Sequence, residues 1–200
     1  MNHENARGIA RELFSQIVIL VSIVALLWGL EIIDQLTGRS LDRFGILPRT
    51  QIGLRGILLA PFLHGNFSHL ISNTIPLVVL GWLVMLRCTI DFFWVTAIAM
   101  LVGGFGTWLF GAPALHIGAS GVIFGYLGFL LLRGYFERSL ISIFFSVLVG
   151  VLYGGLVWGV LPNQPGISWE GHLFGFLGGV LAARLLAEPR TKPADFNDSI

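Results

Sequence analysis

A chain of 200 residues that is 55% hydrophobic and 12% charged, with a mean hydropathy of +0.82, is too apolar for a soluble globular domain, where charged residues make up about 25%. A net charge of +1 without a basic patch argues against a nucleic-acid partner, and the single cysteine, Cys88, rules out an intrachain disulfide. Length and the density of apolar runs point to one membrane domain over residues 1–200.

A helix that crosses a bilayer needs roughly 20 mostly apolar residues. Residues 13–33 supply the first such run. It is too long for a signal-peptide core and has no small-residue cleavage site, so it is expected to be retained. Residues 34–67 form a long mixed connection carrying Asp34, Arg39, Asp42, Arg43, Arg49 and Arg55. Within it, 52–63 is apolar but too short to cross and is expected to lie in the membrane interface. Further spans are expected at 68–86, 90–110, 120–136, 140–161 and 171–187, which makes six. The fold class is therefore an all-α polytopic membrane protein, a bundle of six transmembrane helices. Arg7, Arg11, Arg87, Arg133, Arg138, Arg184, Arg190 and Lys192 gather at one set of helix ends, against four arginines in the first connection. The positive-inside rule then puts both termini in the cytoplasm.

That topology starts the second, fourth and sixth spans on the outer side. It brings His69 and Asn73, Ser120, and His172 to a similar depth. His69 and Asn73 are four apart and so share a helix face. A polar side chain inside a membrane is costly and marks a functional site by default. Taken alone, Ser120 in Gly118-Ala119-Ser120-Gly121 fits a helix N-cap as well as a nucleophile, and His172 fits an interfacial hydrogen-bonder. His69 and Asn73 fit interhelical glue, His64 a structural hydrogen-bonder, and His116 and Glu170 plain loop residues.

Together these residues point to nucleophilic chemistry. A serine hydroxyl needs an adjacent base, which His172 can supply. The oxyanion formed on attack at an amide needs fixed donors, available from the Ser120 N–H, His69 and Asn73. Gly118 and Gly121 permit tight backbone turns and leave space for a substrate chain. Phe124, one turn below Ser120, is within reach of the His172 ring. Gly121, Gly125 and Gly128, with Gly171, Gly175 and Gly179, form small-residue stripes that let the fourth and sixth spans approach closely. No acidic residue lies in a span near His172, so a Ser–His dyad without a third member is expected. The His-Glu-x-x-His zinc motif is missing, as is any intramembrane aspartate pair. No metal or cofactor is expected.

These residues carry a resemblance to a known family. His64-Gly65 with His69-x-x-x-Asn73, Gly118-Ala119-Ser120-Gly121, and Gly171-His172-x-x-Gly175-x-x-x-Gly179 fall in that order on alternate spans. In this the chain resembles the rhomboid intramembrane serine proteases over roughly residues 13–187. The resemblance implies a six-span bundle in a bacterial cytoplasmic membrane, with Ser120 as nucleophile and His172 as base. It implies further that His69 and Asn73 serve the oxyanion, that Phe124 lies beside the base, and that transmembrane proteins are the substrates. Where many relatives carry Trp-Arg in the first connection, this chain has Leu54-Arg55.

Overall fold

The computed structural model describes residues 3–162 and 166–187. Arg190, Lys192 and the middle of the connection before His172 lie outside the described residues. The described chain is all helical, apart from one isolated antiparallel bridge between Ile46 and His116.

Six long helices and one short one form the bundle: α1 (His3–Leu36), the short α2 (Gly56–Leu59), α3 (Phe67–Met85), α4 (Thr89–Phe110), α5 (Ser120–Glu137), α6 (Leu140–Tyr153) and α7 (Trp169–Leu185). The helix at α1 extends past both ends of the expected 13–33 span, because its flanking polar residues remain helical. The expected fifth span changes character. Its α-helix stops at Tyr153, and Gly154–Val160 continues as a 3-10 helix, where Gly154 and Gly155 bring in conformational freedom. The 52–63 stretch is likewise a chain of short turns around α2.

Length and composition qualify four helical segments to cross a membrane: Arg7–Leu36, Phe67–Met85, Thr89–Phe110 and Leu140–Val160. The other two long helices, α5 and α7, are shorter, and they form the centre. A run of α5 from Val122 to Leu130 is buried without interruption. On the outer flank, α6 shows Leu140, Ile141, Phe144, Val151 and Leu152 to the surroundings. Apolar side chains facing outward on the long helices, around a packed glycine-rich centre, suit a molecule whose solvent is lipid.

The centre is built from missing side chains. A Cβ at Gly175 would lie 2.0 Å from the Gly121 carbonyl oxygen, and one at Gly179 would lie 1.8 Å from that of Gly125. A Cβ at Gly128 would lie 2.4 Å from the Phe176 carbonyl. The α5 and α7 backbones are therefore in direct contact, and their register is fixed by main-chain atoms.

Polar staples hold the outer helices. Gln16, buried in α1, donates to the Met85 carbonyl and to Thr89 and accepts from Trp82, tying α1 to the α3–α4 turn. At the same end, Glu137 accepts from Arg87 at 2.8 Å, from Arg133 at 2.9 Å and from the Ser142 hydroxyl. Arg87 also donates to the Leu186 carbonyl just past α7. Two arginines that served the sequence as orientation markers thus also clamp the ends of four helices.

Candidate active site

The opposite end of the bundle collects the polar residues singled out above. The 111–118 connection between α4 and α5 is pinned from three directions. Ile46 and His116 exchange both backbone hydrogen bonds at 2.9 Å, Gly118 N–H donates to the Ala60 carbonyl at 2.9 Å, and Ala112 N–H donates to Glu170 Oε1 at 2.9 Å. His116 Nδ1 lies 2.6 Å from Ser168 Oγ, and its Nε2 lies 3.0 Å from the Ala112 carbonyl. Ser168 is the N-cap of α7 and accepts from Gly171 N–H. His116 and Glu170, read from sequence as loop residues, are both buried. They fasten the start of α7 to the segment that delivers Ser120. Neither could be recognised in the sequence, since their partners lie more than fifty residues away.

Gly118 has φ +120°, in the region that favours glycine, and this bends the chain into α5. Ser120 is the first residue of α5, and the N-cap position belongs to Ala119 with no side-chain cap. The Ser120 hydroxyl therefore does not cap the helix. Val122 and Ile123 N–H donate to the Ala119 carbonyl, both at 3.0 Å, while the N–H groups of Ser120 and Gly121 precede the first intrahelical acceptor, which makes this end a donor site.

A cavity of about 770 Å³ opens over Ser120. Its lining includes His69, Asn73 and His172, so three helices and the pinned connection converge on one space. Ser120 also borders a second, small cavity of about 50 Å³ walled by Ala60, Gly103, Gly104 and Gly121. No hydrogen bond joins Ser120 to His172 among the described residues. Catalytic hydrogen bonds of unliganded sites are often long, tightening only with substrate. The residues beside the pair do touch, because a Cβ on Gly121 would meet the Gly171 carbonyl oxygen at 3.3 Å.

His172 is buried and held on two sides. Its ring stacks on Phe124 at 4.1 Å between centroids with 7° between planes, and its Nδ1 lies 2.9 Å from the Gly159 carbonyl. On the other wall, a Cβ at Gly118 would lie 2.8 Å from His69 Nε2 and 3.6 Å from Asn73 Nδ2. The Asn73 amide nitrogen is buried and has no acceptor among the described residues. A buried donor without a partner costs roughly 1–3 kcal/mol and calls for an explanation.

Behind this wall, His64 lies edge-on to His69 at 5.1 Å and takes the Ala119 N–H on Nε2 at 3.5 Å. Burial, with the His69 ring beside it, pushes His64 down to about 4 and keeps it neutral. Arg55, of the Leu54-Arg55 pair, lies 4.5 Å over the Phe44 ring and donates to the Arg43 carbonyl, bracing the first connection.

Apolar long helices, a close-packed glycine centre and a polar cavity at one end define a helical integral membrane protein. The Rhomboid domain model matches residues 53–189, and the chain belongs to that family. It is 47% identical over 182 residues to the Mycobacterium bovis protein named "Uncharacterized protein Mb1372", covering 86% of this chain and 76% of that one. A Mycobacterium leprae protein, "Uncharacterized protein ML1171", is also 47% identical, over 88% of this chain and 73% of its own length. The Bacillus subtilis protein named "Putative rhomboid protease YdcA" is 30% identical over 140 residues, 68% of this chain and 69% of its own.

Proposed function

We propose that this protein is an intramembrane serine endopeptidase that cuts peptide bonds in or near transmembrane segments of other membrane proteins. One observation carries the reading: Ser120, His172, His69 and Asn73 converge from three helices on a single cavity. Membership of the Rhomboid family and the name of the Bacillus relative support it. In this reading all six long helices cross the bilayer, both termini are cytoplasmic, and the cavity opens outward. A bacterial cytoplasmic membrane fits the charge pattern.

The chemistry follows from the side chains. Ser120 Oγ attacks the scissile carbonyl carbon while its proton passes to His172 Nε2. The oxyanion fills the space beside Gly118, where the Asn73 amide, the His69 ring and the Ser120 N–H donate to it. That role explains why Asn73 keeps a buried donor unpaired. His172 then gives its proton to the departing amine, leaving an ester on Ser120. A water entering the cavity loses a proton to His172 and attacks the ester, and His172 returns that proton to Ser120 Oγ as the second product leaves. An intact substrate helix hides its amide groups in its own hydrogen bonds, so helix-weakening residues near the cut favour cleavage.

The test is cleavage of a labelled transmembrane segment by protein reconstituted in liposomes. Ser120→Ala and His172→Ala are each expected to abolish product, and the double variant to be no worse than either single one. Product formation by Ser120→Ala near the wild-type rate overturns the serine mechanism.

A further inference from the structure

Serine hydrolases that use histidine usually place a carboxylate on the far ring nitrogen to hold its tautomer. Here the far nitrogen is Nδ1, and its partner is the main-chain carbonyl of Gly159 at 2.9 Å. The nearest acidic side chain in the sequence is committed elsewhere, since Glu170 Oε1 receives the Ala112 N–H.

We infer that the Gly159 carbonyl is the third member of the catalytic assembly, a positioning group that fixes the tautomer and plane of His172. A carbonyl oxygen can only accept, so the ring proton must sit on Nδ1. That leaves the Nε2 lone pair free to take the Ser120 proton. Gly159 is also the residue that makes the arrangement possible. A Cβ there would lie 2.8 Å from Phe124 Cζ and 3.2 Å from His172 Nδ1, at the edge of the stacked rings. Phe124 fixes one face of the imidazole and Gly159 fixes its edge. Elsewhere in the same 3-10 segment, Gly154 and Gly155 have nothing within 4 Å of a Cβ. Gly159 is thus distinguished by its contact with the base. The inference rests on the reading of His172 as the base.

The experiment uses full-length protein in liposomes and a fluorophosphonate probe, which needs no natural substrate. Ser120 Oγ displaces fluoride from phosphorus and its proton goes to His172, so the labelling rate reports activation of the serine. Gly159→Ala is expected to slow labelling on the order of 10²-fold, the usual cost of misplacing a catalytic group by about 1 Å. Gly155→Ala is expected to label at the wild-type rate. If Gly159→Ala fails to fold, an amide-to-ester replacement at the Gly159–Val160 linkage weakens the same carbonyl without adding an atom in the site. It is expected to slow labelling about fivefold, the effect of weakening one ordinary hydrogen bond. The same ester at Gly154–Gly155 is expected to have no effect.

A second readout is independent of activity. The ¹⁵N spectrum of histidine-labelled protein, with His172 assigned by its loss in His172→Ala, is expected to show the Nδ1–H tautomer in wild type and mixed tautomers in the ester variant. Wild-type labelling and an unchanged tautomer in the Gly159–Val160 ester overturn the inference. Wild-type labelling by His172→Ala overturns the base assignment itself, and the ¹⁵N spectrum still reports separately whether Gly159 holds the ring.

Discussion

At Ser120 the hydroxyl stands one position inside α5 instead of at its N-cap, and this separates the two meanings its sequence context allowed. His64, five residues before His69, is the instructive companion. Buried and bonded to the Ala119 N–H, it stays neutral down to about pH 4. An unfolded chain binds a proton at this histidine near pH 6.5. Between about 4 and 6.5 the unfolded state therefore holds more protons, and the stability His64 contributes is lost as the pH falls through that window. Asp42 acts in the opposite sense. Burial, and then the neighbouring Asp34 charge, raises its carboxyl to about 6, so its contribution is present in acid and lost as pH rises through 6. The two partly offset each other, and a difference measurement isolates His64. Thermal unfolding of wild type and His64→Gln in one detergent, from pH 7 to 4, is expected to show a steeper acid loss in wild type, by up to about 3 kcal/mol. Parallel curves would mean that His64 is protonated in the native state.

Among elements, α5 and α7 decide the geometry, and their pairing was legible in the glycine spacing. Stripes four apart announce close approach whatever else the sequence does. The same logic fails for Gly159 and His116. Gly159 is one of three glycines in the 3-10 segment, and what sets it apart, the edge of two rings, belongs to other helices. The 3-10 character of Gly154–Val160 was hidden for a related reason: its residues are apolar enough to continue the preceding span. The contact between α5 and α7 makes a sharp prediction. Gly179→Ala inserts a methyl group 1.8 Å from the Gly125 oxygen, a clash that rotamers cannot relieve. Overpacking of this kind costs about 3 kcal/mol. Gly179→Ala is expected to lower the unfolding temperature and to lose serine labelling, while Gly29→Ala, with nothing within 4 Å, is expected to match wild type in both.

For the molecule as a whole, α1 on the flank and the two central helices that carry Ser120 and His172 differ in length. The 34 residues of α1 make a helix about 51 Å long, whereas α5 with 18 and α7 with 17 reach about 27 and 26 Å. A hydrocarbon core is roughly 30 Å thick. Membranes of other thickness impose hydrophobic mismatch, which helices absorb by tilting. Tilt of this kind is expected of α1 and α6 on the flank, while α5 and α7 are expected to move as one piece because carbonyl oxygens of one pack into the glycine gaps of the other. The serine and the histidine are then expected to keep their separation whatever lipid surrounds them. Reconstitution into phosphatidylcholines of increasing acyl length is expected to leave the fluorophosphonate labelling rate constant within about twofold, at a cost of fractions of a kcal/mol per Å borne by the flanking helices. A labelling rate that fell steadily with acyl length would mean that the central pair slides. If the rate stays constant, the backbone contact between α5 and α7 fits the protein to work unchanged across membranes of different thickness.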